Sequence, residues 1–86
     1  MNLHGNYIGD EGAKAIGAAL SGNEVLTNLV LWDNNIGEEG AKALASALCV
    51  NEVLENIDLS YNNLGDEGRK AIHDAVSGRE GFELEM

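Results

Sequence analysis

Cysteine and histidine, which are typical nucleophiles, bases and zinc ligands, are scarce in this sequence. Cys49 is the only cysteine, and the only histidines are His4 and His73. A nucleophilic cysteine needs an adjacent base, and a zinc site needs several converging ligands. Neither arrangement is indicated, and the sequence contains no glycine-rich phosphate loop. Cys49 is interpreted as a small residue at a semi-exposed helix end, and we expect no metal, no cofactor, no small-molecule substrate and no enzyme activity.

Three asparagines recur at a spacing that indicates a structural role. Asn6, Asn34 and Asn62 are 28 residues apart, and each lies where the chain turns after an alternating apolar segment. A side-chain amide both donates and accepts hydrogen bonds, so it can satisfy backbone groups that a sharp turn leaves unpaired. We therefore predict a structural column of asparagines along the chain.

The 28-residue period extends over most of the chain and divides it into repeats. The first half of a repeat reads LTNLVLWDNNIG at 26–37 and LENIDLSYNNLG at 54–65. Apolar residues alternate with other residues in this half, as in a short strand with one buried face. The predicted strands lie near residues 29–31 and 57–59.

The second half of each repeat has the pattern of a short amphipathic helix. In EEGAKALASAL at 38–48, small and apolar residues fall on one side of a helix. The residues of this predicted buried stripe are Gly40, Ala43, Leu44, Ala47 and Leu48. Acidic residues open each helix, where the helix dipole favours them. The predicted helices span residues 10–20, 38–48 and 66–76.

Glycine recurs in the first turn of each predicted helix, at Gly12, Gly40 and Gly68. Glycine in a helix costs about 1 kcal/mol relative to alanine. Its recurrence at the same position predicts a packing reason, namely a close approach to the preceding strand–helix bend.

One strand and one helix cannot bury their apolar faces alone, so successive repeats must stack. Helices are wider than strands, and the stack must curve with the strands on its concave side. The predicted fold is an α/β solenoid of about three repeats, with parallel strands on the concave face and helices on the convex face. Its divisions are a partial repeat at 1–25, full repeats at 26–53 and 54–81, and a terminal edge strand at 82–86.

The pattern L-x-x-L-x-L-x-x-N-x-L, with the overlapping Asn-Asn-Ile-Gly-x-x-Gly-Ala-x-Ala-Leu, resembles the ribonuclease-inhibitor class of leucine-rich repeats. The resemblance covers residues 1 to about 80. It implies an intracellular βα horseshoe that binds proteins. Related arrays occur in ribonuclease inhibitor, in NOD-like receptors and in the Ran GTPase-activating protein.

The chain departs from complete repeats at both ends. Met1 aligns with Leu29, so the first repeat lacks its opening residues, and GREGFELEM breaks the register after Gly78. We expect the chain to be the C-terminal part of a longer scaffold or receptor-like protein. Four apolar residues should be partly uncovered on the N-terminal flank: Leu3, Ile8, Ile16 and Leu20.

The concave face is the predicted site of partner binding. Because Leu31 must face the core, Trp32 should point outward, between His4 and Ser60 of the neighbouring repeats. An outward tryptophan is typical of an interface anchor, although Trp32 could instead simply pack across neighbouring strands. The candidate partner-binding residues are His4, Val30, Trp32, Asp58, Ser60 and Tyr61.

The convex face is predicted to be solvated. Lys14, Lys42 and Lys70 each lie four residues after an acid, an arrangement that favours ion pairs along a helix. His73 lies outside the buried stripe and should be solvated.

The charge balance limits the class of partner. Five Lys and Arg residues stand against 15 Asp and Glu residues, for a formal charge of −10. Nucleic acids and anionic membranes are excluded as partners, because both require a basic surface. A basic protein is compatible, although excess acid also simply promotes solubility. The single cysteine and the absence of a signal-peptide pattern favour a cytoplasmic location.

The function that best fits these features is a protein–protein interaction module. The alternative is a GTPase-activating type of regulator, by resemblance to the Ran activator. That alternative is weakened because no arginine is predicted on the strand face, where it could stabilise a phosphoryl-transfer transition state.

Overall fold

Helices and strands alternate along the chain, and the computed structural model describes residues 1–86. The helices are α1 (Gly9–Ser21), α2 (Glu38–Val50) and α3 (Gly65–Val76). The strands are β1 (Asn28–Val30), β2 (Asn56–Asp58) and β3 (Glu83–Glu85). The strands form one parallel sheet in the order β1–β2–β3, and α2 packs between α1 and α3 in a second layer. The predicted α/β solenoid is confirmed.

β1 and β2 each begin and end one residue earlier than predicted. Pairing begins where Asn28 faces Asn56. Leu31 lies just beyond the end of β1, yet it is fully buried, and its N–H donates to the Asp58 carbonyl at 2.8 Å. The leucine therefore keeps its predicted place in the core, although the regular strand ends before it.

The register of the sheet sorts side chains by face. Leu29, Ile57 and Leu84 pair across the three strands and point towards the helices. The adjacent row points away from the helices, because neighbouring residues of a strand alternate between the two faces. This outward row consists of Asn2, Val30, Asp58 and Glu85.

The buried surface of α2 is wider than the predicted stripe. Gly40, Leu44, Ala47 and Leu48 are buried as predicted, but Ala43 is only partly buried. Ala41 and Ala45 are buried as well, although the stripe did not include them. The physical reason is that α2 has a helix on each side, so it must present apolar surface to two neighbours as well as to the sheet.

The recurring helical glycines lie close to the preceding bend, as predicted, and Gly40 and Gly68 also lie close to the preceding helix. A Cβ on Gly40 would lie 2.8 Å from Ile36 Cγ2 in the preceding bend. It would also lie 2.9 Å from the Ala13 Cβ in the preceding helix. A Cβ on Gly68 would similarly lie 2.9 Å from the Ala41 Cβ. Glycine therefore sets the close approach of successive helices.

The N-terminal flank is open, with one correction to the prediction. Leu3, Ile8 and Ile16 are partly buried as predicted, but Leu20 is only 2% exposed. Leu20 lies at the end of α1, within the core cluster, where the second repeat already covers it. An apolar pocket of about 100 Å³ opens beside Leu20, and its lining also includes Ile16 and Ala19.

We expect this flank to make the isolated chain weakly stable or self-associating, because its partly buried apolar residues expose core-type surface. Ala19→Glu would add charge to the apolar flank, and it should reduce self-association in sedimentation experiments. Ala18→Glu, at an exposed position outside the apolar pocket, is the matched control. A wild-type monomer with a sharp melt at high temperature would contradict this prediction.

The opposite flank is polar. Arg69 and His73 occupy the α3 positions that correspond to Ala41 and Ala45 in α2, and both are exposed. His73 is thus solvated, as predicted. β3 pairs with β2 and lies within the segment for which the sequence predicts an edge strand. None of the helices combines the length and apolar character that crossing a bilayer would require.

Candidate functional site

The outward face of the sheet displays parallel rows of side chains. Asn28, Asn56 and Glu83 form one row, and Asn56 Nδ2 donates to Glu83 Oε1 at 3.4 Å. The next row includes the partly buried Val30 and Asp58. Because the repeats are in parallel register, equivalent residues of successive repeats lie side by side. The face therefore offers one nearly continuous surface to a partner.

Aromatic side chains extend this face beyond the strand ends. The His4 imidazole stacks on Trp32 with ring centroids 4.6 Å apart and planes inclined by 9°. Asn2 Oδ1 lies 2.7 Å from His4 Nδ1 and helps to orient the ring. The Tyr61 ring meets Trp32 at 6.0 Å and 64°, an edge-to-face arrangement. Trp32 thus packs across neighbouring repeats while remaining partly exposed.

The predicted partner-binding residues fall into two groups on this face. Val30 and Asp58 pair across β1 and β2 in the outward row. The structure brings His4, Trp32 and Tyr61 together as one aromatic row, and Ser60 immediately precedes Tyr61.

The charged side chains on the sheet face are all negative. Asp58 and Glu85 share one outward row, and Glu83 lies in the other. The basic residues lie on or after the helices: Lys14, Lys42, Arg69, Lys70 and Arg79. No arginine lies on the strand face. The face therefore attracts cationic groups and repels anionic ones.

The ion pairs of the convex face differ in part from the prediction. Lys42 pairs with Glu38 at 3.1 Å as predicted, but Lys14 pairs with Glu11 at 3.7 Å rather than with Asp10. The hydrogen bond that Lys42 donates to Glu38, and then the charge of that carboxylate, raise the pKa of Lys42 above its ordinary value. Any stabilisation from this pair is present at neutral pH and is lost as the pH rises through the raised pKa.

Asp10 has a different role, which the sequence did not reveal. Its Oδ1 accepts hydrogen bonds from the backbone N–H groups of Gly37 at 2.6 Å and Gly40 at 3.0 Å. Asp10 of the first repeat therefore caps the helix of the second repeat and satisfies N–H groups that have no partner within that helix. Predicted pairs of Lys14 with Asp10, and of Lys70 with Asp66, do not form.

The asparagine column joins neighbouring repeats through their backbones. Asn34 is fully buried, its Oδ1 accepts from the Asn6 N–H at 2.7 Å, and its Nδ2 donates to the Leu3 carbonyl at 2.7 Å. Asn62 repeats the pattern one unit later, accepting from the Asn34 N–H at 2.9 Å and donating to the Leu31 carbonyl at 3.0 Å. These bonds hold the turns of the solenoid in register.

A second polar column lies at the helix ends and was not predicted from the sequence. Asn51 Nδ2 donates to the carbonyls of Leu20 at 2.8 Å and Asn23 at 3.0 Å. Arg79 occupies the equivalent place in the third repeat, where its guanidinium donates to the Leu48 carbonyl and packs over the Phe82 ring. The signal was available, because Asn23, Asn51 and Arg79 are also 28 residues apart.

The residues with potential for chemistry do not converge. Cys49 is exposed on α2, His73 lies on α3, and His4 lies beside the sheet face. No three His, Cys, Asp or Glu side chains are grouped as metal ligands.

Comparison with known proteins adds one finding. Residues 2–17, 20–45 and 50–72 match the family model described as Leucine Rich repeat. No curated protein matches the chain.

Proposed function

The chain belongs to the leucine-rich repeat family, and from this premise we propose that it binds a basic protein partner on its concave strand face. Repeats of this family are generally protein-interaction modules, and the family is typically non-enzymatic. We further propose that the repeats are of the ribonuclease-inhibitor type and act in the cytoplasm. The 28-residue period supports the first of these points, and a single free cysteine supports the second.

The observation that carries the proposal is the coincidence of aromatic and acidic groups on one face. Trp32 is ordered by stacking on His4, so little side-chain entropy would be lost when a partner covers it. Asp58, Glu83 and Glu85 supply negative charge on the same side of the sheet without an intervening Lys or Arg. An ordered aromatic anchor is typical of the centre of a protein interface.

Trp32→Ala is expected to weaken partner binding by about 2 kcal/mol, or about 30-fold in Kd, because the substitution removes the central aromatic anchor. Partners would be captured from lysate with the wild-type chain, and their affinities would then be measured by calorimetry.

Binding should also weaken as the salt concentration rises, because salt screens the acidic face.

Lys42→Ala is the control for the opposite face. Lys42 is an exposed residue of α2 and makes one surface ion pair, so its removal should leave the affinity unchanged. Equal losses from both substitutions, or a loss from Lys42→Ala alone, would move the binding surface to the helices and refute the proposal.

A further inference from the structure

Two tyrosines lie at the rim of the sheet on backbone that disfavours them. Tyr7 has φ 52° and Tyr61 has φ 59°, both in the left-handed region. The two residues are 89% and 81% exposed, respectively. A bulky residue in this region costs free energy of folding. Because both tyrosines are so exposed, burial offsets little of that cost.

The repeats themselves show which residues suit these backbone positions. The position of Tyr7 is occupied in the second repeat by Asn35, with φ 57°. The position of Tyr61 is occupied by Asp33, with φ 59°, and in the first repeat by Gly5, with φ 69°. Glycine, asparagine and aspartate adopt this conformation more readily than tyrosine does. Stability alone therefore does not account for tyrosine at both places.

The two tyrosines face a common space. Tyr7, Asp33 and Tyr61 line one surface groove of about 360 Å³, which we call the rim groove. The rest of its lining consists of Asn35, Asn62 and Asn63. Asp33 is exposed and belongs to no ion pair in the chain. The groove therefore combines two aromatic rings, an available carboxylate and amide groups.

We propose that the rim groove binds an arginine side chain of the protein partner. A guanidinium is planar and stacks on aromatic rings, while its N–H groups pair with a carboxylate in a fixed geometry. Tyr7 and Tyr61 supply the rings, and Asp33 supplies the carboxylate. Lysine fits less well, because its ammonium is more strongly hydrated and cannot stack as a plane.

The rim groove adjoins the proposed partner surface, because Tyr61 packs edge-on against Trp32. Its place in partner recognition rests on the proposed function, but the chemistry of the groove can be tested without the partner. The probes are acetyl-tetra-arginine amide and acetyl-tetra-lysine amide, with binding followed by calorimetry and by NMR shifts of the tyrosine rings.

Tyr7→Asn and Tyr61→Asn are the informative variants, because they place in the groove a residue that Asn35 already shows to suit left-handed backbone. Each is expected to weaken tetra-arginine binding about 3- to 10-fold, because each removes one cation–π contact. Each should leave the melting temperature equal or higher, because the backbone strain is relieved. Lost binding with retained folding is an outcome that a merely structural tyrosine would not produce.

Asp33→Asn tests the carboxylate, and Glu24→Gln is its control, since it removes the same charge from an exposed position outside the groove. Asp33→Asn should weaken tetra-arginine binding, whereas Glu24→Gln should not. Equal effects of these two variants, unchanged affinity in both tyrosine variants, or equal binding of tetra-lysine would overturn the assignment. If tetra-arginine binds as expected while Trp32→Ala leaves partner affinity unchanged, the concave-face proposal fails and the rim groove stands. If Trp32→Ala weakens partner binding but tetra-arginine does not bind as expected, the rim-groove proposal is refuted and the concave-face proposal stands.

Discussion

Asn34→Ala is expected to lower the free energy of unfolding by about 3 kcal/mol, because it removes the hydrogen bonds that a fully buried amide makes to the backbone of the neighbouring repeat. The alanine can neither accept from the Asn6 N–H nor donate to the Leu3 carbonyl, which both lie 2.7 Å from the Asn34 amide. Asn34 is fully buried, so water cannot easily replace these bonds. A chain of this size has roughly 4–13 kcal/mol of stability, so a loss of this size should be plain in urea unfolding.

Asn63→Ala is the matched control. Asn63 follows Asn62 in the third repeat, but its side chain is exposed. Its substitution should change the stability by less than about 0.5 kcal/mol. Similar losses from both alanine variants would show that the buried column does not hold the repeats together, and that turn formation alone explains the recurring asparagines.

Gly40→Ala is expected to destabilise the fold by about 2 kcal/mol, although alanine is intrinsically the better helix former by about 1 kcal/mol. The added Cβ would lie 2.8 Å from Asp10 Oδ1 and 2.9 Å from the Ala13 Cβ. To relieve these contacts α1 and α2 must separate, which would weaken the hydrogen bond from the Gly40 N–H to Asp10 at 3.0 Å. The midpoint of thermal or urea unfolding measures the change.

Gly22→Ala provides the comparison, because a Cβ there would meet nothing within 4 Å and φ is −102°. We expect its effect on stability to be within about 0.5 kcal/mol of zero. If Gly40→Ala instead raised the stability, helix propensity would outweigh packing at this position, and the close approach of the two helices would not be required.

The variants that disturb contacts between repeats and the tyrosine variants are expected to differ in their effects on stability and binding. At the asparagine column and at Gly40, substitution should cost stability wherever it disturbs contacts between repeats. At Tyr7 and Tyr61, substitution by asparagine should cost binding while the fold is retained or gains stability. Measuring both quantities on the same variants therefore separates residues that build the solenoid from residues that serve a partner.

The repeated architecture could be determined from the sequence by itself. The 28-residue period assigns equivalent positions in successive repeats, so strands such as β1 and β2 must pair in parallel and in register. Alternation then places Leu29 in the core and Val30 on the outward face. The family, the order of elements, the asparagine column and the neighbourhood of Trp32 with His4 follow from the same period, because they relate equivalent or adjacent positions.

Contacts between non-equivalent positions were decided only by the tertiary structure. The period could not show that Asp10 reaches Gly37 and Gly40 rather than Lys14, because this depends on how far successive helices are offset. It could not show that Ala41 is buried, because the width of a helix's apolar face depends on the number of helices beside it. Nor could it place Tyr7 and Tyr61 in one groove, since side-chain alternation does not extend into turns with left-handed backbone. A linear pattern specifies which repeat positions are equivalent, whereas curvature and helix spacing specify which side chains meet.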